Sequence, residues 1–94
     1  MPGPAPYKTT PVFDHNTLPA AIRSTHATKE GVWGLLRVLD GAVTLVFHDM
    51  PERRVPVTAA NPCPIPPAAP HHVETDGPMR MQVEFYREPP LPGA

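Results

Sequence analysis

Histidines are the residues of this chain whose types and positions are best suited to binding chemistry. The five imidazoles belong to His15, His26, His48, His71 and His72. None of them lies in a helical HExxH motif, and the single cysteine, Cys63, excludes the paired CxxC ligands of a zinc finger. Ser24 is the only serine and lies outside a GxSxG motif, so a nucleophile-elbow hydrolase is not indicated. The catalytic residues, if the protein is an enzyme, are therefore not identified by a motif.

The segment that contains His71 predicts that one imidazole points into the core. Residues 71–75 (HHVET) are expected to form a strand, in which His71 and Val73 share one face while His72 and Glu74 share the other. If Val73 packs inward, His71 does too, and an unpaired buried polar group costs several kcal/mol. A metal ion, a hydrogen-bonded carboxylate or a bound ligand would each provide the partner.

A purely structural role is the alternative for every histidine. It is the expected role of His15, His48 and His72. Trp33 is expected to be a core residue or a pocket wall, and Cys63 is expected to lie in a loop between two prolines.

Prolines restrict the elements that hold these side chains. The chain has 16 prolines among 94 residues, and they cluster at both ends and in residues 61–70. Proline lacks the N–H that a central strand needs and interrupts helices, so short strands joined by loops are predicted and a helical bundle is nearly excluded. Six to eight short strands with regular turn signals are typical of a β-sandwich or small barrel.

Three predicted strands matter most for the site. Residues 32–39 are apolar on both faces, so this strand is expected to be covered on both sides. Asp40-Gly41 then predicts a type I′ hairpin, with residues 42–48 returning as the partner strand. In residues 79–86 the side chains alternate, so that Met79, Met81, Val83 and Phe85 face one way while Arg80, Gln82, Glu84 and Tyr86 face the other.

Composition excludes several classes of function. The net charge is -1 and no basic patch is evident, so nucleic-acid binding is not expected. No apolar run approaches the roughly 20 residues of a membrane span, and residues 1–10 lack the apolar region of a signal peptide. The single cysteine fits a reducing compartment. We expect one cytoplasmic domain over residues 1–94, with a core at about residues 7–86 and flexible proline-rich ends.

Three segments carry a resemblance to a known family. They are HATKEGVWG at residues 26–34, a V-L-x-G segment at residues 38–41 and PPAAPHHVE at residues 66–74. Together they resemble the small single-domain cupins related to the N-terminal domain of TehB-type tellurite-resistance proteins and to YeaR-like proteins. The similarity extends over roughly residues 7–86.

The resemblance implies a cupin fold, which is a double-stranded β-helix or jelly-roll barrel of two antiparallel sheets, with a cavity where cupins commonly hold a divalent metal. His26 and His71 match histidines of the family segments and are the candidate metal ligands. Glu84 falls where relatives carry an acid or a glycine and is a third candidate. Lys29 and Trp33 match the first segment and are candidate pocket residues.

The chain departs from the general cupin motif in one respect. That motif has two histidines as H-x-H and a later glutamate, whereas His26 is followed by Ala27-Thr28 and Gly34 lies near the glutamate position. Two histidines and a carboxylate remain compatible with zinc, nickel or iron. No methyltransferase activity is expected, because the chain has no nucleotide-binding glycine loop and ends at Ala94.

Three hypotheses remain open. The first is a metal-binding cupin in resistance or response to tellurite or a related toxic oxyanion, with Lys29 as a point charge for the anion. The second is a metal-free module that holds a small molecule or anion in a cavity walled by Trp33, Phe47 and Phe85. The third is a small metal-dependent enzyme such as a dioxygenase or isomerase. In each case unpaired strand edges make a homodimer plausible.

Overall fold

Two antiparallel sheets form the protein in the computed structural model, which describes residues 5–90. The predicted flexible proline-rich ends fall in part on residues 1–4 and 91–94, which lie outside the described residues. In chain order the elements are β1 (Lys8–Thr9), β2 (Phe13–Asp14), α1 (Ala20–Arg23), β3 (Trp33–Asp40), β4 (Ala42–Phe47), β5 (Arg53–Thr58), β6 (Cys63–Ile65), β7 (His71–Glu74) and β8 (Arg80–Tyr86). The prediction of an all-β fold with two antiparallel sheets is thus confirmed.

The larger sheet has five strands and the smaller has three. In the larger one the order is β1-β8-β3-β6, and β2 pairs with β8 beyond the end of β1. In the smaller one the order is β5-β4-β7. The two sheets stay separate layers and do not close into a barrel within residues 5–90, so the predicted barrel closure is not seen there.

The hydrophobic core lies between the layers. From β4, Val43, Leu45 and Phe47 point into it and are at most 3% exposed, as their alternation predicted. Met79 and Met81 enter from the opposite sheet and are equally buried. The strand predicted to be covered on both faces is β3, where the neighbouring side chains of Leu35 and Leu36, which point to opposite faces, are both fully buried.

The predicted hairpin at Asp40-Gly41 is wrong. β3 pairs with β6 and β8, whereas β4 pairs with β5 and β7, so the chain crosses from one sheet to the other at this point. Gly41 alone has a positive φ there, +74°, while a type I′ turn needs two such residues. The tight turn is real, but it joins two layers and does not pair two neighbouring strands.

Among the described residues, the prolines that lie within strands are at sheet edges. Pro56 is in β5, as predicted for an edge strand, and Pro64 is in β6, the edge of the larger sheet. The prediction that Cys63 lies in a loop is therefore wrong: it begins β6, and the residue is 8% exposed and belongs to the core. Within residues 5–90, no helix is long and apolar enough to cross a membrane.

Candidate functional site

His26 and His71 lie side by side at one end of the space between the sheets. His71 begins β7, and His26 follows α1 in an extended segment that pairs with it. The His26 N–H donates to the His71 carbonyl at 2.9 Å, and the His71 N–H donates to the His26 carbonyl at 2.8 Å. The ring centroids are 4.2 Å apart with planes at 61°. The two imidazoles that sequence reasoning selected are thus brought together by a backbone bridge.

Backbone carbonyls fix the orientation of both rings. His26 Nδ1 lies 2.9 Å from the Ser24 carbonyl oxygen, and His71 Nδ1 lies 2.7 Å from that of Ala69. A carbonyl oxygen only accepts, so each Nδ1 carries the hydrogen. In the neutral ring the lone pair is then on Nε2, which has no hydrogen-bond partner within residues 5–90. Each ring therefore offers an unused Nε2 acceptor.

Burial favours the neutral form of the His71 imidazole. The residue is only 2% exposed, and loss of hydration lowers the pKa of His71 below 6.5. The bond to the Ala69 carbonyl raises the pKa and the nearby His26 ring lowers it, but burial is the largest effect. A neutral imidazole is the form that binds a metal or accepts a hydrogen bond.

A cavity of about 220 Å³ adjoins the two rings. Its apolar wall comes from both sheets and includes Leu36, Ile65, Val73, Val83 and Phe85. Thr10 and Thr28 add hydroxyl groups at its margin. The arrangement gives two imidazoles access to an otherwise largely apolar space that is large enough for a small ligand.

A second, more open depression of about 390 Å³ shares part of this wall. It is bordered by Lys8 and Lys29 and has Ala27, Thr28 and Phe85 in common with the cavity. Lys29 therefore borders the depression beside the cavity and does not line the cavity itself. Lys8 was missed by the sequence analysis, because only the fold places β1 beside the segment that contains Lys29.

Glu84 is not brought to the histidines. It alternates with Val83 and Phe85 along β8 and lies on the outer face of the larger sheet. Arg37 Nε donates to its Oε1 at 2.7 Å, and the Tyr86 hydroxyl donates to the same oxygen at 2.7 Å. The carboxylate is already bonded on the side of the sheet opposite the cavity.

Two of the three aromatic residues predicted to wall the cavity lie elsewhere in the structure. Trp33 pairs with Tyr86 across β3 and β8 and lines neither depression. Phe47 is buried in the core, with its ring centroid 6.1 Å from that of His71, and does not line the cavity. Phe85 is the predicted aromatic residue that does line it.

The site formed by His26 and His71 beside the cavity, called the inner site below, therefore has two strong protein ligands for a metal. Within residues 5–90, no group of three or more His, Cys, Asp or Glu side chains is arranged to hold a metal ion. His26 and His71 can supply two imidazole nitrogens, and the remaining positions around a metal would belong to water or to a small ligand. The donor set fits a metal with open coordination positions and does not fit a closed structural zinc site.

Comparisons with known proteins relate this chain to one protein family and to two solved structures. The TehB-like domain family matches residues 8–83. TehB from Haemophilus influenzae has a similar structure, with a TM-score of 0.79 and 27% identity over 89% of this chain and 31% of that one. The chain thus corresponds to about a third of the length of that TehB.

A protein of similar extent comes from E. coli strain K12. Its structure matches with a TM-score of 0.76 and 27% identity, over 92% of this chain and 93% of that one. A search of curated proteins finds no match. Because the family match extends over most of the sequence and both structures agree with it, this chain belongs to the TehB-like domain family.

Proposed function

We propose that this chain is a small cupin-type domain that binds a divalent metal through His26 and His71 and acts in resistance or response to tellurite or a related toxic oxyanion. The observation that carries the proposal is the meeting of two carbonyl-oriented imidazoles beside one cavity. Within residues 5–90, eight strands in two antiparallel layers, four of which line that cavity, support the cupin assignment.

The orientation of the rings suits metal binding. Histidine ligands generally donate their second ring N–H to a carbonyl or carboxylate, which fixes the tautomer and the ring direction. Ser24 and Ala69 supply such carbonyls here. Zinc, nickel and iron(II) all accept imidazole nitrogen, and such a metal acts as a Lewis acid toward an anionic oxygen.

Lysines beside the cavity support an anionic ligand. Lys8 and Lys29 border the open depression, which shares Thr28 and Phe85 with the cavity. Their ammonium groups raise the local concentration of a small anion by long-range attraction. Thr28 Oγ1 donates to the Val32 carbonyl at 2.8 Å, which keeps this segment in place.

The oxyanion context rests on the family. TehB-type proteins are associated with tellurite resistance, and this chain matches a part of TehB equal to about a third of that protein. We extend to this chain only the association with a toxic oxyanion, with tellurite as the first compound to test.

A metal-free binding module is the second candidate. It is favoured by the small number of metal-ligating side chains: Glu84 is bonded to Arg37, and among residues 5–90 the cavity has two imidazoles and no carboxylate or thiol. In that case each Nε2 accepts a hydrogen bond from a small ligand, and the apolar wall contacts its remaining surface.

Metal content and calorimetry separate these candidates. The protein is purified without added metal, analysed for bound elements, and titrated with Zn²⁺, Ni²⁺ and Fe²⁺. We expect the variant with both His26→Ala and His71→Ala to bind one equivalent fewer than the control His15→Ala, which changes an exposed histidine. Equal binding by the double variant and the control would overturn the metal proposal.

Sodium tellurite tests the oxyanion in a separate titration. The metal proposal predicts that tellurite binds only after metal loading, and that Lys8→Gln with Lys29→Gln weakens this binding. Metal-independent binding that requires His26 and His71 would favour the metal-free module. Absence of tellurite binding under both conditions would remove the oxyanion from the proposal.

A further inference from the structure

A second pair of histidines lies on the outer face of the smaller sheet. His48 follows β4, His72 is in β7, and His48 Nε2 is 2.7 Å from His72 Nδ1. The ring centroids are 4.9 Å apart. Strand alternation separates this pair from the inner site, because His72 and its neighbour His71 point to opposite faces.

A line of hydrogen bonds orients the outer rings. His72 Nε2 is 2.8 Å from Glu74 Oε2, and Arg54 donates to both oxygens of the same carboxylate at 2.7 and 3.3 Å. Arg54 first and His72 second hold the pKa of Glu74 at about 2, so this group is a carboxylate that only accepts. His72 Nε2 must therefore carry a hydrogen, and the Nδ1 of the neutral ring presents its lone pair to His48.

His48 has polar groups at both of its ring nitrogens. Nε2 lies 3.2 Å from Thr25 Oγ1, and Nδ1 lies 4.0 Å from Glu52 Oε2. If the hydrogen moves from Nε2 to Nδ1, it faces the Glu52 carboxylate, and the Nε2 lone pair becomes available beside His72 Nδ1. Each ring would then have a carboxylate behind it and a lone pair directed toward its partner.

We propose that His48 Nε2 and His72 Nδ1 form a second binding site for a divalent transition metal, which replaces the hydrogen bond between the two rings. Glu74 orients the His72 ring from behind through a hydrogen bond, an arrangement common around histidine-bound metals, and the Glu52 carboxylate lies 4.0 Å behind His48 Nδ1. Water completes the coordination, with the Thr25 hydroxyl beside it. The site is a two-imidazole surface site, in keeping with the finding that no cluster of three or more ligands occurs within residues 5–90.

The distance between the two ring nitrogens and the charges around them are compatible with a bound metal ion. Two metal–nitrogen bonds of about 2.0–2.1 Å at a tetrahedral angle put the nitrogens roughly 3.3 Å apart, so the rings must separate by about half an ångström. The side chains are 32% exposed for His48 and 16% for His72, which leaves room for that movement. The nearby charges are Glu52, Glu74 and Arg54, whose sum favours a cation.

Titration of the full chain with Cu²⁺ and with Zn²⁺ tests the site without involving the inner histidines. The background is the variant with both His26→Ala and His71→Ala. We expect it to retain one equivalent of metal, and we expect His48→Ala or His72→Ala in that background to weaken binding by at least tenfold. Glu74→Gln should weaken it by about 10–100-fold, the range for loss of a group that orients a ligand.

The controls distinguish this site from general histidine affinity and from the inner site. His15→Ala in the same background should leave the affinity unchanged, and circular dichroism should show that each variant is folded. Electron paramagnetic resonance of the Cu²⁺ complex should show coupling to two imidazole nitrogens in the background variant. Equal binding by the His48→Ala and His15→Ala variants, or no binding by the background variant, would overturn the outer site and leave the inner proposal untouched.

Discussion

Arg37 and Glu84 form an ion pair across β3 and β8 on the outer face of the larger sheet, with Arg37 Nε 2.7 Å from Glu84 Oε1. The pair raises the pKa of Arg37, chiefly through the hydrogen bond from its guanidinium to Glu84. Burial first, and the bond to Glu84 second, raise the pKa of Tyr86, whose hydroxyl donates to the same carboxylate. Glu84 therefore stabilises the outer face of the sheet and lies on the other side from the cavity.

Replacing Glu84 by glutamine should reduce stability and leave binding at the inner cavity unchanged. The charged acceptor for Arg37 and Tyr86 is lost, and since Arg37 is partly exposed we expect a cost of about 1 kcal/mol in the free energy of unfolding. Urea unfolding measures the cost, with Glu88→Gln as the control at an exposed glutamate. If Glu84→Gln abolished metal binding while the protein remained folded, the assignment of Glu84 to the outer face would be contradicted.

Gly41 should tolerate no side chain where the chain crosses between the sheets. Its φ is +74°, and an added Cβ would lie 2.4 Å from the Pro78 carbonyl oxygen. We expect Gly41→Ala to lower the free energy of unfolding by about 1–3 kcal/mol or more, from strain and from the clash.

Two other glycines separate the two effects at Gly41. Gly31 has a similar φ of +76°, but no atom of residues 5–90 lies within 4 Å of an added Cβ, so Gly31→Ala reports backbone strain alone. Gly77 has open space and no positive φ, so Gly77→Ala should change little. We expect Gly41→Ala to have the lowest urea midpoint, Gly31→Ala an intermediate one and Gly77→Ala the highest. Equal midpoints for the three variants would show that the turn at Gly41 adapts to a side chain.

Asp14 should stabilise the turn before α1 in a pH-dependent manner. Its Oδ1 accepts from the N–H groups of Asn16 at 2.8 Å and Thr17 at 2.9 Å. The Asn16 bond is the largest of the effects that lower the pKa of Asp14 below 3.8. Because the folded pKa is lower than the unfolded one, this stabilisation is present in full above pH 3.8 and is lost as the pH falls through the folded value.

The variant Asp14→Ala should therefore have a lower urea midpoint than the parent at pH 7. The difference between the two proteins should shrink as the pH falls below 3.8 and through the lower pKa of the folded protein, where the parent carboxylate also becomes protonated. Asp76→Ala, at an exposed aspartate in another turn, serves as the control. A difference that stays constant down to low pH would show that the carboxylate charge has no part in the turn.

Cys63 should react slowly with thiol reagents in the folded protein. The residue is 8% exposed, and burial raises the pKa of the thiol above 9.0. Because the thiolate is the reactive form, we expect labelling by a disulfide reagent at pH 8 to be at least about tenfold slower than in denaturing urea. Equal labelling rates with and without urea would contradict the placement of Cys63 in the core.

Local alternation determined much of the fold. In β4 and β8 the inward positions follow from hydrophobic residues at every second place, and His71 points inward because Val73 does. The same periodicity already put Glu84 on the face opposite Val83 and Phe85, so its exclusion from the cavity was available from the sequence. Glu84 became a candidate ligand through the family resemblance, which matches positions along the sequence and does not consider which face of a strand a side chain occupies.

The proline-rich region shows where composition alone is insufficient. Cys63–Ile65 is too short, and its neighbourhood too rich in proline, to be recognised as a strand, yet it pairs with β3 at the sheet edge, where the missing N–H of Pro64 is tolerated. Similarly, Asp40-Gly41 predicted a turn correctly but not its destination. A turn signal specifies the local backbone, whereas the layer that receives the next strand depends on long-range packing.

The sequence by itself determined the all-β class, the inward direction of His71 and the family to which the chain belongs, because these depend on short-range periodicity and on motifs. Only the tertiary structure decided which side chains meet. It put His26 against His71, Lys8 beside the Lys29 segment, and His48 against His72. Contacts between residues far apart in the chain depend on strand order and on the separation of the two sheets, and no local pattern encodes either.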